Sequence, residues 1–190
     1  MRSIYFIPAL FLSGLCNISA AQNPDINFDD STFVFQSASK ETSFGTTSIR
    51  QMYAAESPSR HACSVQVTQK TGSTVQGVLS VDRMVMVPAL TVIPFEITAN
   101  PEKSANEDAV SIGAMKNIKD SSKYTVILHR ATLMANGTLR DILIQCNDFK
   151  YEGVWTKTAA QFEALRSDWT RALFKLDPKL SSDSEAKPKQ

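Results

Sequence analysis

The chain is short of almost everything that announces an enzyme. Its seven glycines are scattered, and none falls in G-x-S-x-G, in a phosphate-binding P-loop or in the G-x-G-x-x-G of a dinucleotide site. The chemistry of those motifs depends on backbone amides or a nucleophile held at fixed spacing, and that spacing is missing. Histidine is scarce, with two in 190 residues, and cysteine is limited to three. An excess of one charge is missing too: Lys and Arg number 20 against 19 Asp and Glu, and without Arg2 there are 19 of each. A neutral chain has no general field to draw it onto nucleic acid or an anionic membrane. Beyond the N-terminus no apolar run approaches the roughly 20 residues that a spanning helix needs. No internal repeat is present, and nothing in the sequence calls for a cofactor.

What is there begins with residues 1–21, which read as a signal peptide. Arg2 supplies a short basic start, "IYFIPALFLSGL" an apolar stretch, and Ser19-Ala20-Ala21 a small-residue cleavage site before Gln22. The apolar stretch is too short to span a bilayer and contains Pro8 and Gly14. Lipidation at Cys16 is the alternative to plain cleavage, although Leu15 stands where a small residue usually precedes a lipid-bearing cysteine. With the leader removed, Cys63 and Cys146 are the only pair left. Two thiols in an oxidising compartment become one disulfide, whose Cα atoms should lie roughly 4.4–6.8 Å apart.

Residues 22–60 read as a polar N-terminal extension with one or two weak elements. Within it "STFVFQ" has strand propensity, with Phe33 and Phe35 on one side and Val34 on the other. Residues 61–178 read as a single β-rich domain. Cys63, Val65 and Val67 alternate with Ser64, Gln66 and Thr68, a half-buried strand. "VQGVLSV" and "RMVMV" read as a second, longer strand bent near Asp82-Arg83 and interrupted at Pro88. "LTVIPFEIT" is a third, with an edge or bulge at Pro94 because proline cannot donate to a ladder. "EDAVSIGAMKNI" fits either a short helix or a strand through Val110 and Ile112. Two β-rich runs flank Asn136-Gly137, a hairpin signal. A two-residue loop would pair His129 with Ile144 and Ile127 with Cys146, putting His129 on the core face; a three-residue loop would shift the register by one. Asn136-Gly137-Thr138 is also an N-x-T sequon, a pattern that hairpin turns produce on their own.

The last element is an amphipathic helix over 158–176. Phe162, Leu165, Trp169, Leu173 and Leu176 recur at helical spacing, Thr158 with Gln161 suggests a capping box, and Pro178 ends the pattern. "SSDSEAKPKQ" is polar apart from Ala186 and Pro188, and residues 179–190 read as a disordered tail. The fold class expected is therefore α+β: a small, disulfide-tied, mainly antiparallel β core with a C-terminal amphipathic helix.

Few residues offer chemistry. His61, Cys63, His129 and Cys146 hold the inventory of a tetrahedral metal site. The paired short spacing is absent from the second half, and the disulfide would consume both thiols, so His61 and His129 remain only as candidate metal ligands. Asp141, Asp148 and Glu152 could furnish an acid and a base, but charges at strand ends are ordinarily solvated. Trp155, Phe162 and Trp169 could stack a ligand ring, yet their helical spacing suits a core. No catalytic residue is assigned. The expectation is an exported, non-catalytic protein-binding or assembly module of the bacterial cell envelope, periplasmic or secreted, with a protein partner contacted through Phe33, Val34 and Phe35. A small-ligand-binding periplasmic protein is the alternative, followed by a hydrolase without a recognisable motif.

Overall fold

The computed structural model describes residues 24–29, 31–43, 45–56, 62–85, 91–116, 123–150 and 155–178. Residues 1–23 with Cys16, His61, Pro88, Glu152 and residues 179–190 lie outside the described residues, as do the side chains of Asp148 and Trp155. Among the described residues eight strands and two helices follow in order: β1 (Ile26–Phe28), β2 (Ser31–Ser43), β3 (Thr46–Ala55), β4 (Ala62–Lys70), α1 (Val75–Val85), β5 (Thr91–Ala99), β6 (Asp108–Lys116), β7 (Lys123–Leu133), β8 (Leu139–Lys150) and α2 (Trp155–Lys175). All strands belong to one antiparallel sheet of order β1-β2-β3-β4-β8-β7-β6-β5, curved into a half-barrel. The chain draws two four-stranded meanders, joined by α1 in sequence and by the β4–β8 ladder in space.

Each face of the sheet carries a helix. Val65 and Val67 on β4, Val110 and Ile112 on β6, Val126 and Leu128 on β7 and Ile142 and Ile144 on β8 pack with Phe162, Trp169 and Leu173 of α2. The opposite face packs Ala109, Ala131 and Leu139 against Val75 and Leu79 of α1. The disulfide joins directly paired residues, Cys63 on β4 and Cys146 on β8, with Cα atoms 4.0 Å apart, slightly nearer than expected. It staples the one ladder that links the two meanders.

Four sequence expectations are corrected. The run from Val75 is a helix, not a long strand. Thr74 caps it, accepting from Gly77 N–H through Oγ1 at 3.0 Å, and the buried Val75 and Leu79 stand four apart. The valines are β-branched, but their spacing is helical. The segment read as a polar extension supplies β1, β2 and β3, with Ile26, Phe28, Phe33 and Tyr53 buried in the main core. Leu165 is not on the buried face of α2: it is 40% exposed, and Arg166 takes that place at 7%. Thr158 lies inside α2, which begins at Trp155, so it does not cap the helix.

Other elements follow local rules. Residues 108–116 form a strand, not a helix. β5 is an edge strand, and its pairing with β6 slips on either side of Ile93, beside Pro94. Gly113 on β6 lets the Phe95 ring close over the backbone, since a Cβ there would sit 2.6 Å from Phe95 Cγ. No helix among the described residues is long and apolar enough to cross a membrane.

Candidate functional site

The β7–β8 hairpin decides which polar groups meet. Gly137 N–H donates to Met134 C=O at 2.9 Å, Met134 N–H donates to Thr138 C=O at 2.9 Å, and Gly137 has φ of 77°. The loop is therefore Ala135-Asn136-Gly137, a tight turn followed by a glycine in the left-handed region. This three-residue loop pairs His129 with Leu143 and Val126 with Cys146. The two-residue register is thus corrected, and His129 moves to the α1 face, away from Ile142, Ile144 and Cys146. A tetrahedral set of His129 with the two cysteines is not assembled. No group of three or more potential metal ligands occurs among the described residues.

On the α1 face His129 Nε2 meets Asp141 Oδ1, one strand away on β8. Lys70 Nζ on β4 donates to the other carboxylate oxygen at 2.9 Å. His129 and Asp141 are 5% and 4% exposed. Burial raises the Asp141 carboxyl, but the hydrogen bond and charge of His129, with Lys70, pull it below the usual aspartate range. Ser111, directly opposite His129 on β6, is fully buried and its Oγ has no hydrogen-bond partner among the described residues. The sequence placed His129 and Asp141 among candidate residues without joining them, because the joining depends on the parity of the loop.

A second polar cluster on the α2 face had no sequence signal. Arg130 on β7 forks onto Asp108 of β6, donating from Nε at 2.9 Å and from Nη2 at 2.8 Å. Asn100 Nδ2 and Thr132 Oγ1 also donate to this carboxylate, at 2.7 and 3.0 Å. Burial raises the Asp108 carboxyl, and the bonds from Arg130, Asn100 and Thr132 outweigh it to leave the group low. Arg130 Nη1 continues to the carbonyls of Leu173 and Leu176 at 2.6 and 2.8 Å, so a sheet residue joins Leu176 N–H on the Leu173 carbonyl and caps the C-terminal end of α2. Arg166 ties the middle of α2 to β5, pairing with Glu96 at 2.7 Å and donating to Pro94 C=O at 3.1 Å. Both clusters look inward, and their charged groups are paired with one another. The Arg130 and Arg166 contacts fix α2 on the sheet, while the His129–Asp141–Lys70 contacts join β7, β8 and β4.

The sheet has two open edges among the described residues, the outer side of β5 and the edge of β2 beyond β1. β1 pairs only with Ser31–Phe33. Beyond that point β3 covers the inner side of β2 through Ser43, and no strand among the described residues covers the outer side of Val34–Ser43. Phe33 is 1% exposed and belongs to the core, while Phe35 packs edge-on to Tyr53 with centroids 5.8 Å apart. Of the three candidate partner-binding residues, Phe33 is thus an anchor, and Val34 and Phe35 begin the open edge. A register shift between Phe35 and Ser37 kinks this edge, and Lys40 and Glu41 place charges on it. These features discourage indiscriminate strand pairing. Trp169, a candidate stacking platform, is 4% exposed, packs edge-on to Phe162 and donates from Nε1 to Asp29 Oδ2 at 3.3 Å, which makes both rings core. In comparisons with known proteins, no family model, curated protein or solved structure gives a significant match to this chain.

Proposed function

We propose that the chain is an exported, non-catalytic protein-binding module of the bacterial cell envelope, and that a partner strand adds to the outer edge of β2. The observation that carries this reading is the ten-residue stretch Val34–Ser43, bonded on one side only among the described residues. A strand edge offers main-chain donors and acceptors for affinity and alternate side chains for specificity. The kink at Gln36 and the charges of Lys40 and Glu41 select for a strand that matches them. The leader-like N-terminus, the disulfide and the neutral charge are consistent with an exported binding protein. Periplasmic or secreted location and an envelope partner belong to the same proposal. The hydrolase alternative has His129 beside Asp141 and Ser111, but all three are buried, and a substrate needs access.

Co-purification from the native envelope tests the reading with two variants, Ala38→Pro and Ser39→Pro. Neighbouring strand residues send their N–H groups to opposite sides. One proline therefore removes an outward donor and the other breaks a bond to β3. The variant that keeps wild-type circular dichroism and melting should lose the partner. Retention of the same partner by that well-folded variant would refute edge binding.

A further inference from the structure

We infer that Asn136 is a self-modifying site, converting to aspartate and isoaspartate by attack of its own backbone. This is the chain's one Asn-Gly pair, and it sits at the tip of the β7–β8 hairpin with Asn136 and Gly137 both exposed. Thr138 N–H donates to Asn136 Oδ1 at 3.0 Å. That Asx-turn folds the side chain over the Asn136–Gly137 peptide, and the hydrogen bond draws electron density from Oδ1, leaving Cγ more electrophilic. Gly137 brings no side chain, and the space where its Cβ would lie is empty to 4 Å. The opposing feature is the bond from Gly137 N–H to Met134 C=O at 2.9 Å. It lies in an exposed loop, where local opening is easy.

The step balances with water as the only co-reactant. Gly137 N gives its proton to solvent base and bonds to Asn136 Cγ. The Cγ–Nδ2 bond breaks, and Nδ2 departs as ammonia with a proton from solvent. The resulting succinimide is opened by water at either carbonyl, yielding aspartate or isoaspartate. The isoaspartate route inserts Cβ into the main chain of the very loop whose length sets His129 beside Asp141.

Peptide mapping by mass spectrometry of the full mature chain, aged in mildly alkaline buffer, tests this. Conversion is expected first at Asn136, at least as fast in the folded protein as in the urea-unfolded chain, and with isoaspartate among the products. Asn100 precedes proline, which has no N–H to attack with, and Asn27 and Asn147 precede larger residues than glycine. Asn136→Gln should abolish the modified peptide. Slower conversion in the folded than in the unfolded chain, or earlier conversion at another asparagine, would overturn the inference.

Discussion

Asp108 accepts four hydrogen bonds from Arg130, Asn100 and Thr132 and has no exposed surface. Removing one member of such a pair leaves the other charge buried without compensation, which costs about 3–5 kcal/mol. Asp108→Ala should show that loss as a lower urea midpoint with an unchanged slope. Asp141→Asn carries the pH dependence. Both carboxyls titrate below the usual aspartate value of 3.8 in the folded chain, so near and below that value the unfolded chain binds more protons. Stability from these groups is then present above pH 3.8 and lost as pH falls through their folded values. Urea melts of the wild type should weaken across that acid range, and Asp141→Asn should flatten the slope. Neither role was visible in the sequence. A buried aspartate looks like any other until the strands place its donors.

At the scale of elements, Trp169 and Leu165 separate the face a helix buries from the face its apolar residues suggest. Trp169→Ala should cost about 3–5 kcal/mol, whereas Leu165→Ala should change stability by under about 0.5 kcal/mol, as for a surface site. Paired thermal melts distinguish the two; equal effects would mean that α2 is rotated from the arrangement described. Gly113→Ala drives a methyl group into the Phe95 ring, and overpacking of this kind costs about 1–3 kcal/mol. Much of the element level was legible. Alternation in 63–67 marked β4, Asn-Gly marked the hairpin, and the apolar spacing marked α2. α1 was missed because a short run of valines was read by residue type when spacing decided. The start of β2 was legible in the alternation of "STFVFQ", but its full length and the whole of β3 were missed because this hairpin buries only part of one face, so its sequence stays polar. Arg166 was missed because a buried arginine is counted with the solvent side until Glu96 and Pro94 C=O are found beside it.

The whole molecule is two meanders held at one ladder, and the disulfide crosses that ladder at Cys63 and Cys146. It closes a long loop, with a sequence separation of 83, so Cys63→Ser with Cys146→Ser should cost about 2–5 kcal/mol, read from chemical denaturation of the pure protein. This connection was legible because only two cysteines lie outside the segment that reads as a signal peptide. The polar clusters beneath the helices were not legible, since each gathers residues from several strands and depends on register. The interaction account rests on the β2 edge, and site-specific photo-crosslinking in the living cell probes that edge whatever the partner is. A crosslinker at Ser39 should give one discrete protein adduct that a crosslinker at Ser80 on α1 does not give. No adduct from Ser39, with a discrete adduct from Ser80, would contradict the account.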